Sequence, residues 1–448
     1  MNKKFDCDVI IVGAGASGIY AASTLKKAGL SSIILEAGDN LGGRLKSKEI
    51  SKNTNIELGG QWLAKNGQIR LSELVDRFGF KKIKNYNEGK SIIWKGKVPL
   101  IYKSKDIELP LMARLDVWRF SLYIKWKLKS INIKKPWKNS ELDKTTAHTW
   151  LSKKLWTNES RKFVFNIFEQ AACCDLSEFS ILEGLCNLKT IGSLKNIQDA
   201  DYYYFKEGLQ NLLARLALED KLDISYNHEV THIKQGKDQV EVYSKNKVLL
   251  SKAVLVTVPL PTMDRINFEP QLPSAVHELC KTIVRGHAVK VVAVYDSPWW
   301  RTEGYSGTIN DPDGLFDLVI DSSPDSKYGV LVGLVTGPRA NNIEKLESKE
   351  LQRLFTKYIE RSFGHSQLPI SFNYFNWGDY KYALGAYSAR RAINQWTKAK
   401  DCLQQPFQRV YFAGTETALE WRGYVEGALE SGERQGQKIA TMIKKEFK

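Results

Sequence analysis

The chain has 448 residues, of which 43% are hydrophobic and 26% charged, and this ordinary globular composition excludes a disordered or fibrous protein. Its length exceeds what one hydrophobic core supports and predicts two or three domains. Six cysteines without paired C-x-x-C spacing argue against a disulfide-rich secreted scaffold, and no run approaches the roughly 20 apolar residues that span a bilayer. Because the first strand is predicted close to the N-terminus, leaving no room for a signal sequence, we expect a soluble cytoplasmic protein.

The net charge of +16 is concentrated in one segment. Between Lys81 and Lys138, 16 Lys and Arg residues face four acidic residues, so this segment carries 12 of the 16 net charges. Residues 114–138 place four large apolar side chains at helical spacing with lysines between them: Leu115, Trp118, Leu122 and Trp126. One interpretation is a basic amphipathic helix that contacts anionic lipid or nucleic acid. We favour the other, a surface helix with its tryptophans in the core, because no motif for an acidic polymer accompanies the charge.

The first 28 residues contain the strongest motif of the chain. Val9–Val12 is a short run of β-branched residues, typical of a buried parallel strand. Gly13, Gly15 and Gly18 follow at G-x-G-x-x-G spacing, which allows a tight turn, close approach to a pyrophosphate and close packing of the next helix. We expect that helix over Ile19–Ala28, with its N-terminal amides directed at the anion.

A carboxylate completes this motif. A second apolar strand, Ile33–Leu35, ends at Glu36, which lies 23 residues after Gly13. A carboxylate at this distance accepts hydrogen bonds from the hydroxyls of an adenosine ribose and repels a 2′-phosphate. The complete strand–turn–helix–strand–Glu unit therefore predicts a dinucleotide site.

Two further glycine turns follow. Gly42 and Gly43 precede Arg44, whose guanidinium is suited to pair with a diphosphate. Gly59 and Gly60 end an apolar segment, and backbone without side chains indicates that something bulky lies close to it. Beyond them the pattern predicts helices over 68–78, 160–172, 178–188 and 351–363, a turn followed by a helix within 205–218, and strands within 228–261 and over 370–377.

Lys290 lies in HAVKVVAVY, a strand that is otherwise almost wholly apolar. Burying an ammonium costs several kcal/mol unless it finds partners, so a functional role is favoured over chance. The alternative is a lysine that reaches water at the edge of a sheet.

These residues lead to a resemblance. The opening unit, the GGR at residues 42–44 and the ELGGQW at 57–62 resemble the N-terminal FAD-binding region of the flavin amine oxidases, the monoamine oxidase-like family. The segment Arg409–Ile439, RVYFAGTETALEWRGYVEGALESGERQGQKI, is similar to the family's C-terminal flavin motif. The resemblance covers most of the chain and thins over residues 81–204.

The resemblance implies an α/β fold: a Rossmann-like FAD-binding domain of the GR2 type with an inserted α+β substrate-binding domain. The FAD-binding domain would comprise residues 1–80, 206–280 and 388–448, and the substrate-binding domain residues 81–205 and 281–387. The implied cofactor-binding residues are Gly13, Gly15, Ala16, Ser17, Gly18, Glu36, Ala37, Gly42, Gly43, Arg44, Gly59, Gly60, Gln61, Trp62, Val230, Trp377, Gly414, Thr415, Glu416, Gly423, Tyr424 and Val425.

It also implies roles for individual residues. Lys290 matches the lysine that holds a water against flavin N5, and Tyr387 and Tyr424 match a pair of facing rings that cage the amine. Glu416 resembles the carboxylate near the diphosphate and ribityl chain. Val230 would contact the adenine through its backbone, and the amide of Val425 would face flavin O2. Tyr204 and Trp421 are candidates for the substrate pocket.

The mode of flavin attachment differs from that of some relatives. In covalent members, the residue before the pocket tyrosine is a cysteine bonded to the flavin. Ala386 occupies that position here, so a thioether cannot form and we expect non-covalent FAD. The vicinal Cys173 and Cys174 are interpreted as buried small residues.

The expected function is FAD-dependent oxidation of a neutral amine, with hydride transfer from its α carbon to flavin N5. The imine is hydrolysed to aldehyde and ammonia, and O2 reoxidises the flavin to give H2O2. We favour a monoamine substrate, without a metal site or nucleic acid, and a homodimer as a candidate assembly. A polyamine oxidase would use Asp199 and Asp201, and an L-amino-acid oxidase would use Arg390 or Arg422. A non-catalytic flavoprotein that binds an acidic partner is the third alternative.

Overall fold

The computed structural model describes residues 5–52, 54–103, 109–194, 197, 200–245, 247–324, 327–343 and 346–446. Asp199 lies outside these residues. The strands, in chain order, are β1 Cys7–Val12, β2 Ser32–Leu35, β3 Ser47–Ser51, β4 Thr54–Glu57, β5 Lys82–Lys84, β6 Lys90–Lys95, β7 Val98–Tyr102, β8 Tyr203–Phe205, β9 Asp223–Ser225, β10 Val230–Gln235, β11 Val240–Ser244, β12 Lys247–Val256, β13 Asn267–Glu269, β14 Ala288–Tyr295, β15 Tyr305–Asn310, β16 Leu318–Asp321, β17 Gly329–Thr336, β18 Ser371–Asn376 and β19 Val410–Phe412.

Helices of very different lengths connect the strands. In chain order they are α1 Ala16–Lys27, α2 Ile69–Arg77, α3 Leu111–Lys129, α4 Ser140–Asp143, α5 Ala147–Lys154, α6 Asn158–Ala172, α7 Ile181–Ile191, α8 Leu209–Glu219, α9 Ser274–Thr282, α10 Trp299–Thr302, α11 Ser348–Phe363, α12 Gln395–Ala399 and α13 Val425–Glu446. Within the described residues, no helix is both long enough and apolar enough to cross a membrane.

The first sheet has β1 at its centre. Its strand order is β13-β10-β11-β12-β1-β2-β9, and β19 pairs with β12. β1 runs parallel to both neighbours, with Val9–Val12 beside residues 253–256 of β12 and 32–35 of β2. Alternate residues of β1 enter the cores on the two faces of the sheet, so the strand is buried on both sides. This explains the continuous apolar run that predicted it.

The second sheet contains the strand of Lys290. Its order is β18-β14-β17-β16-β15-β6-β7, and β14 pairs antiparallel with both β17 and β18. Every residue of β14 is buried. Because β14 has a neighbour on each side, the alternative of a lysine escaping at a sheet edge is wrong. A core of α10 and α11 covers one face of this sheet.

Several helix starts differ from the predicted ones by one to four residues, and for two of them the capping residue explains the difference. α1 begins at Ala16, inside the glycine motif, because Gly15 is extended and serves as its N-cap residue. α7 begins at Ile181 rather than at 178, because the Ser180 side chain accepts a hydrogen bond from the amide of Leu182 and caps the helix there.

The basic helix α3 corrects another prediction. Its inward face consists of residues mostly four apart, including Phe120, Ile124 and Leu128, which pack into the helical core of α5–α7. Trp118 and Trp126 lie on the opposite face, and each exposes 64% of its surface. The prediction that these tryptophans are in the core is therefore wrong.

Candidate active site

The glycine turn between β1 and α1 forms the start of a cradle. Gly13 has φ +106°, and a Cβ there would approach Thr257 Oγ1 to 2.9 Å. A Cβ on Gly18 would lie 2.0 Å from Gly13 O, so only glycine lets α1 pack this closely against the turn. Gly15 forms a parallel bridge to Gly42, which joins the first and second glycine turns.

Glu36 lies at the end of β2 beside this turn. Its carboxylate accepts hydrogen bonds from the amides of Ala14 at 2.7 Å and Gly38 at 2.8 Å. Burial raises the pKa of Glu36, although these amides oppose the shift. Because Glu36 lines the same cavity as the glycines, its position fits the predicted ribose contact.

A buried ion pair joins the two ends of the chain. Arg44 and Glu416 form a bidentate contact, with N–O distances of 2.6 and 3.1 Å. Burial alone would raise the pKa of Glu416, but Arg44 outweighs it and the pKa lies below its usual value. Arg44 Nη1 also donates to Tyr387 O at 2.8 Å. Thus Arg44 is engaged by protein groups, and its predicted contact with a diphosphate stays a prediction.

One cavity of about 1310 Å³ connects the cradle with the residues predicted to act on the amine. This volume exceeds the roughly 300–1,000 Å³ typical of a pocket for one small ligand. The predicted residues that line it are Gly13, Gly15, Ala16, Ser17, Glu36, Ala37, Gly42, Gly43, Arg44, Gly59, Gly60, Gln61, Trp62, Val230, Lys290, Trp377, Tyr387, Gly414, Thr415, Gly423, Tyr424 and Val425.

Lys290 lies at the contact between the second sheet and the glycine-rich segment after β4. Its Nζ donates to Gly59 O at 2.9 Å and to Gln61 Oε1, and it lies 5.2 Å from the centre of the Trp62 ring. Burial lowers the pKa of Lys290 to about 7, against the opposing charges of Glu57 and Asp201. The lysine is thus held inside the cavity wall with only part of its hydrogen-bonding capacity assigned to protein oxygens.

Tyr387 and Tyr424 line the same cavity from separate segments. Tyr424 immediately precedes α13, and its ring packs edge-on against Trp421 at 5.3 Å. Burial raises the pKa of both phenols, and for Tyr387 the charges of Cys173, Asp201, Asp317 and Tyr424 add to the rise. Tyr387 still exposes 37% of its surface because it forms part of the cavity wall.

The surroundings of Ala386 bear on flavin attachment. Ala386 is buried and packs in a small cluster with Cys173. Burial raises the pKa of Cys173 to about 12, so this thiol stays protonated and weakly nucleophilic at neutral pH. Cys173 and Cys174 are both buried and free, which agrees with their interpretation as packing residues.

Four of the site residues implied by the family resemblance do not line the cavity. Gly18 packs against the backbone of Gly13 within the turn. Glu416 contacts the cavity lining through its ion pair with Arg44. Tyr204 is 4% exposed, and its hydroxyl donates to Ser323 O at 2.6 Å. The Trp421 ring packs edge-on against Tyr424. Neither Tyr204 nor Trp421 lines this cavity, so their place in a substrate pocket stays a prediction.

Other residues of the cavity wall have no sequence motif. Asn166 and Gln170 of α6 line the cavity, and each keeps one buried polar atom without a hydrogen-bond partner. Asp201 lines it as well, and burial raises its pKa to about 7 against the opposing charge of Lys290. Nothing in the local sequence indicates that Asn166 and Gln170 line a cavity. Asp201 was a candidate only because a polyamine substrate requires acidic residues. Within the described residues, no group of three or more His, Cys, Asp or Glu side chains could hold a metal ion.

Comparison with known proteins identifies the family. The model of the flavin containing amine oxidoreductases matches residues 16–440. The chain belongs to the flavin-containing amine oxidoreductase family. A relative from Dictyostelium discoideum, called a probable flavin-containing monoamine oxidase A, is 30% identical and covers 96% of this chain and 97% of its own. Flavin-containing amine oxidase B of Bos taurus is 28% identical and covers 98% of this chain and 86% of its own.

Solved structures agree with this assignment. Putrescine oxidase bound to putrescine superposes with a TM-score of 0.90 at 25% identity, over 97% of this chain and 99% of that chain. Cyclohexylamine oxidase from Brevibacterium oxydans, at 23% identity, has the same fold, with a TM-score of 0.90 over 98% of this chain and all of that chain. The oxidoreductase is therefore a flavoenzyme with the expected Rossmann-like α/β fold.

The residues present fit FAD. A Cβ on Gly59 would lie 2.3 Å from Arg44 O, so this backbone leaves no space for a side chain beside the cavity. The indole Nε1 of Trp62 and the hydroxyl of Ser388 are buried without hydrogen-bond partners. Trp62 also lines the cavity, where its indole can donate to a cofactor atom. The glycine turns, Glu36 and the N-terminus of α13 complete a cradle suited to a dinucleotide.

Proposed function

We propose that this enzyme oxidises the CH–NH2 group of a small primary amine, and that monoamines are its preferred substrates. The observation that carries the proposal is the shared cavity: Lys290, Tyr387 and Tyr424 line the same space as the dinucleotide cradle. Bound FAD would supply the redox chemistry, accepting a hydride from the carbon beside the nitrogen and passing two electrons to O2 as H2O2.

The two tyrosines would select the protonation state of the amine. Burial raises the pKa of both phenols well above 10, so at neutral pH each ring is a neutral wall without a phenolate to hold an ammonium ion. Desolvation between two such rings favours the neutral amine. A neutral amine has the nitrogen lone pair that oxidation at the adjacent carbon requires.

Lys290 would hold a water molecule in front of the cofactor. Its Nζ reaches Gly59 O and Gln61 Oε1, which fixes the direction of its remaining N–H group. The lowered pKa means that the ammonium can release its proton near neutral pH. Lys290 Nζ is therefore a candidate proton donor to the oxygen species formed during reoxidation.

A diamine or polyamine is the second candidate substrate, and Asp201 is the observation that favours it. A carboxylate in the cavity wall can pair with a distal ammonium of a substrate whose other nitrogen is being oxidised. One of the structural neighbours is putrescine oxidase bound to putrescine.

An amino acid has less support as substrate. Arg422 lies outside the cavity lining and is held by Glu183 and Ala418 O. Arg390 lines the cavity, but its Nη2 donates to Ala171 O at 2.6 Å and its guanidinium lies 3.9 Å from Glu183. Its charge is thus partly neutralised before a substrate carboxylate could approach.

The test is H2O2 release from the purified enzyme across arylalkyl monoamines, aliphatic diamines and L-amino acids. We expect monoamines to give the highest kcat/KM and amino acids the lowest. If diamines give the highest kcat/KM, a diamine rather than a monoamine is the preferred substrate. Highest turnover of amino acids would reject both substrate classes.

A further inference from the structure

The outward face of α3 carries a continuous apolar stripe. Leu111, Leu115, Trp118, Leu122 and Trp126 follow one another at intervals of three or four residues, which aligns them along one side of the helix. Each exposes between 50 and 64% of its surface. The inward face of the same helix is also apolar and is buried in the core. Packing of the protein itself therefore accounts for only one of the two apolar faces.

The β6–β7 hairpin, which precedes α3 in the chain, also exposes apolar side chains. The β6–β7 hairpin exposes Val98, Leu100 and Ile101 by 40 to 57%. Tyr102 of the hairpin and Trp118 of α3 line the same large cavity. We call the exposed stripe of α3 (Leu111, Leu115, Trp118, Leu122 and Trp126) together with Val98, Leu100 and Ile101 of the hairpin the docking face. An exposed apolar stripe of this length on a surface helix marks an interaction site.

Positive charge surrounds the docking face. Lys95 and Lys97 lie at the tip of the hairpin, and Arg114, Lys125 and Lys129 lie on α3, all of them exposed. Asp116 is the one acidic residue of α3. It is buried and forms an ion pair with Arg119 at 2.7 Å, so it does not reduce the charge presented to solvent. A partner that matches the docking face must therefore offer both apolar and anionic groups.

We propose that the docking face binds the surface of a lipid bilayer that contains anionic lipids. Leucine and tryptophan side chains would enter the boundary between headgroups and acyl chains, while the lysines and arginines remain among the phosphates. A second copy of this chain is a poorer occupant, because a two-fold interface through α3 would bring the same cations together. Nucleic acid matches the charge but would leave the exposed leucines in water.

The orientation has a consequence for the cavity. Arg114, Val117 and Trp118 of α3 line it, so a protein seated on the docking face holds the cavity beside the lipid surface. An amphipathic amine that concentrates among headgroups would then reach the enzyme from the membrane rather than only from bulk water.

The test is co-sedimentation of the FAD-loaded enzyme with phosphatidylcholine vesicles, with and without phosphatidylserine, at about 0.15 M salt. We expect binding to the vesicles with phosphatidylserine and at least about tenfold weaker binding to those without it. Absence of the wild-type protein from the pellet with phosphatidylserine would overturn the proposal. Equal binding to both vesicles would also contradict it, because the surrounding cations would then contribute nothing.

A matched pair of double variants tests the location. Leu115→Ser/Leu122→Ser removes two leucines of the docking face that do not line the cavity, whereas Leu218→Ser/Leu368→Ser removes two equally apolar residues that are 79 and 80% exposed elsewhere. Both variants keep the net charge. We expect the first to bind about tenfold more weakly and the second to bind as wild type, with unchanged flavin content in both.

Two outcomes would reject the docking face as a membrane site. Equal binding by the two double variants would show that the exposed leucines of α3 do not enter the lipid. A wild-type dimer in light scattering that becomes a monomer in Leu115→Ser/Leu122→Ser would make a second copy the occupant instead.

Discussion

At the scale of single residues, Lys290 shows how a buried charge can mark a site. An isolated ammonium in an apolar interior costs several kcal/mol, and here the partners found among the described residues are two protein oxygens and an aromatic face. Glu57 and Asp201 oppose the effect of burial on its pKa, so three titratable groups act on one another in this part of the molecule. Such an arrangement is typical of a functional centre rather than a packed core.

Replacing Lys290 by methionine keeps the stem but removes the ammonium. We expect flavin reoxidation by O2 to slow at least about tenfold, because a positioned donor to the reacting oxygen is lost, while amine binding changes little. Stopped-flow mixing of the amine-reduced enzyme with O2 measures this rate. Lys381→Met, at an exposed lysine that also lines the cavity, serves as the control. A wild-type rate in Lys290→Met would leave Lys290 a structural residue.

Ala386 predicts the mode of cofactor attachment. It offers no thiol, and the neighbouring Cys173 stays protonated because burial raises its pKa to about 12. After precipitation with acid, all of the yellow colour should remain in the supernatant. Flavin retained in the protein pellet would contradict this prediction.

Asp201 gives a pH dependence with a defined sign. Burial raises its pKa from 3.8 to about 7, so the carboxylate forms as pH rises through about 7, whereas a distal alkylammonium with a pKa near 10 stays charged there. We therefore expect the ratio of diamine to monoamine kcat/KM to rise across this range. The neutral fraction of the reacting amine increases with pH for both substrates. The ratio of their kcat/KM values therefore isolates the contribution of Asp201.

The matched variants are Asp201→Asn and Asp39→Asn, the latter at an exposed aspartate that also lines the cavity. The ratio should become independent of pH in the first and remain as in wild type in the second. A ratio in Asp201→Asn that still rises through pH 7 would exclude Asp201 as the partner of a distal ammonium.

At the scale of elements, the contact between α1 and α13 supports the glycine turn. A Cβ on Gly432 would lie 2.3 Å from Ser17 O, whereas a Cβ on Gly436, one turn later, would lie 3.1 Å from Thr24 Cβ. The first contact is with backbone at the start of α1 and cannot be relieved by a change of rotamer. Helix α13 therefore holds the N-terminus of α1 in place beside the cradle.

We expect Gly432→Ala to lower the free energy of unfolding by roughly 2 kcal/mol and to weaken FAD binding. Gly436→Ala should cost clearly less, because alanine gains about 1 kcal/mol of helix propensity over glycine at both positions and the second contact is milder. Urea denaturation of the two apoproteins and flavin titration measure these effects. A larger loss in Gly436→Ala would contradict the account of this contact.

The sequence predicted those elements whose signals are local. The β1–turn–α1 unit needed only a buried apolar strand and glycine spacing, and the burial of Lys290 followed from the apolar strand around it. The direction of Trp118 and Trp126 was mispredicted because α3 has two apolar faces, and periodicity alone does not tell which of them faces the core. The pair of Arg44 and Glu416 joins residues 372 positions apart and has no local signature. Tyr204 and Trp421 were assigned to the substrate pocket by the resemblance, and that assignment stays a prediction because neither residue lines the cavity.

At the scale of the whole molecule, the site forms where the two sheets meet. Lys290 comes from the second sheet, the glycine turns belong to the first, and Gly59 joins them through its hydrogen bond to Lys290. The division into an FAD-binding domain (residues 1–80, 206–280 and 388–448) and a substrate-binding domain (residues 81–205 and 281–387) remains our proposal. It is supported by the distribution of the strands, since those of each large sheet fall within one of the two sets.

We expect an amine to reduce the flavin inside the cavity lined by Tyr387 and Tyr424. Anaerobic stopped-flow measurement of flavin bleaching by an arylalkyl amine, as a function of pH, tests this expectation. We predict complete bleaching of the wild type, with a rate that climbs with pH as the neutral amine forms. Tyr424→Phe should stay near the wild-type rate, and Tyr424→Ala should lose about tenfold or more in the apparent second-order rate constant. If dithionite bleaches the flavin but no amine does, or if Tyr424→Ala keeps the wild-type rate, amine oxidation does not take place in this cavity.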